Sequence, residues 1–309
     1  MVDYVKIEEE EQKETPQKKK KMKFSFKKLL LIFLAIFILS SIISSVAYNL
    51  SPKIAVVPIT GTLLTYSESG LFSSSGLTSR DIANRLYSLR DDNSVKGVIL
   101  DINSPGGSAV ASEEISMAIE SLKQVKPVYA LVNDVGASGA FWVAVEADKV
   151  YASSMSMLGS IGVTSAGLSF EHFIANYNIT YRKQTAGEYK DMGSIFREPT
   201  VQEEEILQNL LDEIHYNFIS HIANKRNMSF ENVSQYATGE IFLGKKAKEI
   251  GFIDEIGYFP DVVADLKEIT GQDVMLVDFR PDPTLAQLIG LDSIFGFPAT
   301  TTKSQILLK

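Results

Sequence analysis

The chain has 309 residues, of which 45% are hydrophobic, and it contains no cysteine. This length and composition exclude a chain that is disordered throughout. They suffice for one large domain or two small ones, which must be stable without disulfides. Residues 29–309 hold 21 basic and 32 acidic residues, a net charge of −11. Such an excess of acidic residues argues against nucleic acid as a partner.

The first 48 residues differ in kind from the others. Residues 1–28 form a charged tail with an acidic run at 8–11 and seven lysines between 18 and 28. Residues 29–48 carry no charge, and at about 1.5 Å per residue a helix of this length spans the roughly 30 Å core of a bilayer. A cleaved signal peptide is the alternative, but its apolar region is normally about 7 to 15 residues long. Residues 29–48 exceed that length, so we predict an uncleaved transmembrane helix.

The lysines before this segment predict its orientation. Positive residues that flank a span stay on the cytoplasmic side of a membrane. We therefore expect a single-pass protein of the cell membrane with a cytoplasmic tail at 1–28 and a transmembrane helix at 29–48. An extracytoplasmic domain at 50–272 and a C-terminal tail at 273–309 follow.

Strand and helix patterns alternate after the apolar segment, with short connections between them. In chain order they predict a strand at 53–64, a helix at 78–89 with Thr78 as its N-cap, a strand at 95–102, a helix at 109–124, a strand at 128–132 and a helix at 137–145. This alternation indicates βαβ units around a mostly parallel sheet, which is an α/β fold. Later patterns predict helices at 170–177, 201–226 and 262–269, and a strand at 180–184.

Ser138 stands among residues with almost no side chain, in Gly-Ala-Ser-Gly-Ala at 136–140. It lies between a predicted strand and a predicted helix. The first N–H groups of a helix have no partner within it, so a serine there is either a helix cap or a nucleophile beside anion donors. Taken alone, the stretch favours the cap.

A serine nucleophile needs a base to take its proton. Two of the three histidines, His215 and His221, lie in the predicted helix 201–226, where structural roles are commoner than catalysis, and the third is His172. No Gly-x-Ser-x-Gly elbow surrounds Ser138, which weakens a Ser-His-Asp triad. A lysine can act instead if its pKa lies well below the usual value of about 10.4. Lys190, in a glycine-flanked loop, is the candidate.

A second glycine segment, Asn-Ser-Pro-Gly-Gly at 103–107, follows the predicted strand 95–102. Gly106 and Gly107 have no Cβ, so their N–H groups can face a ligand at the carboxyl end of a buried strand, where open α/β sheets place their sites. Such donors can stabilise an oxyanion. A tight turn explains the same residues equally well.

Together these segments resemble the signal peptide peptidase A (protease IV) family of serine proteases, in its short, membrane-anchored form. The resemblance covers roughly residues 52–270 and is carried by the segments at 103–107, 137–139, 159–163 and 187–191 and by single positions between 244 and 257. It implies a fold like that of the Clp protease and crotonase superfamily, with no metal or cofactor. It also implies a ring or dome of identical subunits.

The resemblance assigns roles to particular residues of this sequence. It implies that Ser138 is the nucleophile, that Lys190 is the general base, and that Ser160 holds the lysine amine by a hydrogen bond. The N–H groups of Gly106 and Gly107 would form the oxyanion hole, with help from Gly139. In the short form, the lysine can serve the serine of a neighbouring subunit.

The implied substrates are remnant signal peptides and other unfolded peptides close to a membrane. One alternative is a crotonase-type acyl-CoA enzyme on the same fold, against which export argues, because acyl-CoA is cytoplasmic. Another is a membrane scaffold without catalytic activity that binds peptides or partner proteins.

Overall fold

The computed structural model describes residues 26–66, 77–271 and 274–279. The chain divides into two compact units, Met1–Leu50 and Ser51–Lys309. In the first unit, helix α1 (Phe26–Leu50) covers the segment that was predicted to cross a membrane. Among the described residues, no helix has both the length and the apolar character that a membrane span requires. The structure therefore does not support the transmembrane helix predicted at 29–48. The preceding residues 1–25 lie outside the described ones.

The second unit is built on one sheet, which has eight strands within the described residues. They are β1 (Lys53–Thr60), β2 (Val95–Ser104), β3 (Val128–Ala137), β4 (Lys149–Ala152), β5 (Met157–Gly159), β6 (Ile241–Leu243), β7 (Glu255–Ile256) and β8 (Met275–Asp278). Along one path the order is β6-β5-β3-β2-β1-β8, while β4 pairs with β3 and β7. All pairings are parallel except that of β5 with β6. The predicted α/β class with a mostly parallel sheet is confirmed.

Helices connect and cover these strands. In the second unit they are α2 (Ser79–Asp91), α3 (Ala109–Lys123), α4 (Gly139–Ala144), α5 (Glu171–Asn176), α6 (Val201–Lys225), α7 (Phe230–Ser234), α8 (Gly244–Glu249) and α9 (Phe259–Thr270). Two of them begin at complete capping boxes, in which the cap hydroxyl and the third residue of the helix exchange hydrogen bonds. Thr78 and Asp81 start α2 in this way, as predicted for Thr78, and Thr200 and Glu203 start α6.

The central strands are buried on both faces, which explains why their sequences are continuous apolar runs and do not alternate with polar residues. On one face of β1, Ala55, Val57 and Ile59 join a core formed with α2, α3 and α4. On the other face, Ile54 and Val56 join a second core with α9. The sheet is thus sandwiched between helices, and its strand ends are free to carry a site.

β3 is the strand at which the sheet divides. Residues 129–132 of β3 pair with β4, whereas residues 135–137 pair with β5. β3 also pairs with β2 on its other side. Its last pairing joins Ala137 to Gly159, so Ser138 and Ser160 each follow a paired residue on neighbouring strands.

Two segments differ from the sequence-based expectation. The strand predicted at 180–184 is wrong: these residues are exposed and form no strand, and Tyr181 and Lys183 instead donate hydrogen bonds to Asp191. The second difference is β8, which pairs with β1 although the sequence predicts a C-terminal tail from residue 273. The sheet therefore continues beyond residue 272. Residues 280–309 of that tail lie outside the described part of the chain.

Candidate active site

Ser138 connects β3 to α4 through an unusual backbone conformation. It is half-buried, with φ 52° and ψ −125°, a region that residues other than glycine rarely occupy. Its N–H donates to the Gly159 carbonyl at 2.8 Å, and its own carbonyl accepts from the N–H groups of Phe141 and Trp142. These hydrogen bonds hold a strained turn in place, and strain of this kind is concentrated at functional sites.

The Ser138 hydroxyl is not used as a helix cap. Ser138 occupies the N-cap position of α4, but its side chain makes no capping hydrogen bond. The interpretation that the sequence stretch favoured when taken alone is therefore excluded, and the hydroxyl is available for another role.

The glycine loop at 103–107 packs directly against the Ser138 turn. A Cβ built on Gly106, whose φ is 95°, would lie 2.6 Å from the Gly139 nitrogen and 2.9 Å from the Ser138 Cβ. A Cβ on Gly139 would lie 2.2 Å from Ser112 Oγ and 3.4 Å from the Gly107 nitrogen. Only glycine at both positions allows the two backbones to approach so closely. The structure thus brings both predicted glycine segments to Ser138.

The N–H groups around Ser138 have different partners. The Gly106 N–H donates to Ser104 Oγ at 3.1 Å in a buried hydrogen bond. Among the described residues, no backbone hydrogen bond uses the N–H of Gly107 or that of Gly139. Gly107 and Gly139 are therefore the available donors beside Ser138, whereas the N–H of Gly106, also predicted as a donor, is already occupied.

Two residues without a predicted role hold this loop in place. Ser104 is fully buried, and its hydroxyl donates to the Gly61 carbonyl at 2.5 Å while it accepts from Gly106. The Leu63 N–H donates to the Gly106 carbonyl, and the Leu63 carbonyl accepts from the Ser108 N–H. The available signal was a serine at the end of an apolar strand, two residues before the first glycine of the loop. No signal in the sequence pointed to Leu63, because its backbone N–H and carbonyl make the hydrogen bonds to the loop.

Ser160 lies at the end of β5, next to the end of β3. Its φ is 51°, and its N–H donates to the Glu240 carbonyl at 2.6 Å. The residue before it, Gly159, accepts the hydrogen bond from the Ser138 N–H. The two serines thus occupy corresponding positions on adjacent strands, and both have a positive φ.

Lys190 lies on an exposed segment, residues 164–200, in which the only described helix or strand is α5. A turn closed by the hydrogen bond from the Lys190 N–H to the Gly187 carbonyl, at 3.3 Å, presents its side chain to solvent. Within the described part of the chain, no hydrogen bond or ion pair joins the lysine amine to Ser138 or Ser160. A single chain therefore brings Ser138, the glycines and Ser160 together, while no hydrogen bond among the described residues links them to Lys190.

The histidines do not replace Lys190 as partners of Ser138. His172 is exposed on α5, and His215 and His221 lie on α6. The His221 ring stacks on Trp142 at 4.1 Å, and its Nε2 lies 3.1 Å from the Trp142 carbonyl oxygen. Burial lowers the pKa of His221 to about 4. This histidine packs behind α4.

The arrangement around Ser138 is suited to acyl transfer. The N–H groups of Gly107 and Gly139, which have no partner within the described part of the chain, lie beside a serine hydroxyl. They can bind a carbonyl oxygen and stabilise the negative charge that it gains when the hydroxyl attacks. Their positions are fixed by backbone hydrogen bonds and by close packing, so little reorganisation is needed when that charge develops.

Comparison with known proteins defines the class of this one. Residues 120–273 match Peptidase family S49, a range that includes Ser138, Ser160 and Lys190. The chain is 31% identical over 234 residues to a candidate signal peptide peptidase SppA of Enterococcus faecium, covering 75% of this chain and 68% of that protein. It is 34% identical to Protease 4 of Haemophilus influenzae, over 75% of this chain and 37% of the relative.

A third relative is a candidate protease of Methanocaldococcus jannaschii, 36% identical over 200 residues, which are 65% of this chain and 64% of that protein. The chain thus spans somewhat less than two thirds of that relative and well under half of the Haemophilus protein. These matches place the chain in a family of peptidases. More specifically, the chain belongs to peptidase family S49, the family of the signal peptide peptidase SppA, which confirms the resemblance seen in the sequence.

Proposed function

We propose that this protein is a serine endopeptidase in which Ser138 is the nucleophile and Lys190 the general base. The observation that carries the proposal is the Ser138 turn, held in a strained conformation against the N–H groups of Gly107 and Gly139, for which the described residues provide no acceptor. Membership of a peptidase family favours peptide hydrolysis over the acyl-CoA chemistry considered above. A fold of the Clp protease and crotonase type is part of the same proposal.

The proposed reaction proceeds through an acyl-enzyme. Ser138 Oγ forms a bond to the scissile carbonyl carbon while the Lys190 amine takes the hydroxyl proton, and the Gly107 and Gly139 N–H groups bind the oxyanion. The C–N bond then breaks, and the lysine returns the proton to the leaving amine. The same amine next takes a proton from water, which hydrolyses the ester and frees Ser138. Ser160 would hold the lysine amine in position.

Replacing Ser138 or Lys190 by alanine is expected to lower kcat by at least about a thousandfold. The first substitution removes the nucleophile, and the second removes the base that activates it. Peptide hydrolysis and labelling by a fluorophosphonate probe would measure the loss. Lys245→Ala is the control, since Lys245 is also an exposed lysine but lies on α8. Full activity of either Ser138→Ala or Lys190→Ala would rule out the dyad. A wild-type protein that the probe does not label would favour a scaffold without catalytic activity.

We further propose that Lys190 serves Ser138 of a neighbouring subunit in a homo-oligomer. Support comes from the exposure of the lysine segment and of its apolar side chains, since large exposed apolar patches commonly mark protein interfaces. Leu168 is 73% exposed, Phe173 56% and Tyr177 67%. Co-expressed Ser138→Ala and Lys190→Ala chains should then regain activity that neither has alone. A mixed oligomer that stays inactive would place both groups in the same chain.

The substrates and the location are proposals as well. The name of the Enterococcus relative supports remnant signal peptides as substrates, and we extend this class to other unfolded peptides near a membrane. Anchoring, with residues 50–309 outside the cytoplasm, is supported by the uncharged sequence 29–48 and the lysines before it. Protease added to intact cells should degrade the domain. A mature chain that begins near residue 49 would contradict an uncleaved anchor.

A further inference from the structure

Arg197 has hydrogen-bond partners for every N–H of its guanidinium group. Nε donates to Asp191 Oδ2 at 2.5 Å, and Nη2 donates to the Asp191 carbonyl at 3.0 Å and to Glu203 Oε1 at 2.6 Å. Nη1 donates to Glu203 Oε2 at 2.8 Å and to the Glu198 carbonyl at 3.0 Å. An arginine has five N–H donors, and here all five are used.

These hydrogen bonds join two different parts of the chain. Asp191 directly follows Lys190, and Arg197 binds both its side chain and its backbone carbonyl. Glu203 lies in the first turn of α6 and accepts from the Thr200 N–H at 2.8 Å as part of the capping box. Arg197 thus ties the residue after the proposed base to the start of a helix of 25 residues.

The carboxylates of this cluster are shielded although the segment around them is exposed. The Asp191 side chain is 8% exposed and that of Glu203 3%, against 19% for Arg197. Hydrogen bonds from Lys183 and Arg197 hold the pKa of Asp191 well below its usual range, and Arg197 lowers the pKa of Glu203 to about 2. Both carboxylates are therefore ionised at neutral pH, and their ion pairs with Arg197 are present at that pH.

The backbone around Lys190 has few other contacts to fix it. Residues 181–190 are all exposed, and the backbone hydrogen bonds near Lys190 are those of short turns, from Lys190 N–H to Gly187, from Met192 N–H to Tyr189 and from Ser194 N–H to Asp191. The side chains of Tyr181 and Lys183 also donate to Asp191, which leaves Asp191 as the point where this segment is held. Glycine flanks the lysine on both sides, and both Gly187 and Gly193 have positive φ. A segment without buried apolar side chains depends on polar contacts for its conformation.

We propose that Arg197 is a positioning residue for Lys190: by clamping both the side chain and the carbonyl of Asp191 to Glu203, it sets the position from which the lysine amine reaches the serine. This inference rests on the proposed function, and it holds whichever subunit provides Ser138. A lysine at position 197 would keep the charge but could not make the forked contacts, because its ammonium is a point charge with three donors.

The test compares Arg197→Lys with Arg182→Lys in the full-length protein. Arg182 lies on the same segment and is exposed, without a hydrogen bond or ion pair among the described residues. We expect Arg197→Lys to lower kcat at least tenfold while KM changes less than twofold, and Arg182→Lys to change neither. Glu203→Gln should lower kcat in the same way. The effects of Arg197→Lys and Glu203→Gln should be less than additive, because both break one cluster.

Two further measurements separate positioning from a purely structural role. Guanidinium ions should partly restore kcat in Arg197→Ala, whereas ammonium ions should not. All rates are measured where near-ultraviolet circular dichroism shows each variant to be folded. A kcat of Arg197→Lys within twofold of wild type would overturn the inference, as would a loss that follows unfolding alone. Lys190→Ala is assayed in parallel: if it stays active, the proposed function fails, and if it is inactive while Arg197→Lys is active, only this inference fails.

Discussion

Replacing Gly106 by alanine is expected to lower kcat by at least about a hundredfold, because the new methyl group would push the glycine loop away from Ser138. The added Cβ would lie 2.6 Å from the Gly139 nitrogen, 2.7 Å from the Ala137 carbonyl oxygen and 2.9 Å from the Ser138 Cβ. Two of these three contacts are to backbone atoms, which cannot rotate away. The loop must therefore move, and the Gly107 donor must move with it.

The size of this effect follows from the geometry of the oxyanion site. Misplacing a reacting group by about 1 Å can reduce the rate about a hundredfold, and losing one oxyanion donor reduces kcat by about 10² to 10³. The φ of Gly106, 95°, adds a conformational penalty of about 1–2 kcal/mol for alanine. We expect KM to change much less than kcat, because the donors act mainly on the transition state.

Gly251→Ala is the matched control for Gly106→Ala. Gly251 has a φ of 83°, and a Cβ there would have no atom within 4 Å. It follows α8, apart from the segments that meet at Ser138. Both variants carry the same kind of backbone strain, but only one moves the loop. Steady-state peptide hydrolysis and thermal unfolding of both proteins give the comparison. Equal losses of kcat would show that strain alone, and not the contact with Ser138, accounts for the effect.

The sequence predicted those parts of the fold that depend on neighbouring residues, such as apolar runs and helix caps. β1 and β2 are continuous apolar runs because both faces of the sheet are covered, and Thr78 has the spacing of a capping box. The strand at 180–184 failed because its β-prone residues have no described neighbouring strand to pair with. β8 was missed because its place in the sheet depends on pairing with β1, more than 200 residues earlier in the chain.

In the candidate site, too, the sequence predicts the features that depend on local pattern and misses those that depend on distant contacts. Ser138, Gly106, Gly107 and Gly139 could be found from the sequence because small residues at the ends of strands are a local signal. The sequence could not show which N–H is free, since that depends on where the Ser104 hydroxyl points. The Arg197 cluster was hidden for a similar reason, because one arginine among 30 basic residues has no distinguishing neighbour pattern.

Replacing His221 by glutamine is expected to remove most of the loss of stability that acid causes between about pH 6.5 and pH 4. The imidazole is buried, and this burial lowers the pKa of His221 to about 4, whereas an unfolded chain has a histidine pKa of about 6.5. Between these values the unfolded state binds more protons than the folded state. The stabilising contribution is therefore fully present above about pH 6.5 and is lost as the pH falls towards 4, about 3 kcal/mol in all.

Several charged groups surround His221, so its contribution is best measured as the difference in unfolding free energy between wild type and variant at each pH. Lys225 and Lys123 lower the pKa of His221 further, while Glu120 and the hydrogen bond with the Trp142 carbonyl oppose the shift. The carboxylate of Glu146 lies 3.8 Å from His221 Nε2, and burial raises the pKa of Glu146. A raised carboxylate pKa changes stability with pH in the opposite direction, so the wild-type curve alone combines both effects.

Urea unfolding of wild type, His221→Gln and His172→Gln at several pH values separates these contributions. His172 is exposed on α5, so His172→Gln should keep the pH dependence of the wild type. In a regular helix the Glu146 N–H would donate to the Trp142 carbonyl, but here it donates to the Val143 carbonyl. Among the described residues, His221 donates to the Trp142 carbonyl in its place. Glutamine can still donate to that carbonyl, so α4 should keep its place behind Ser138 and activity at neutral pH should persist. An unchanged pH dependence in His221→Gln would show that acid destabilises this protein through its carboxylates.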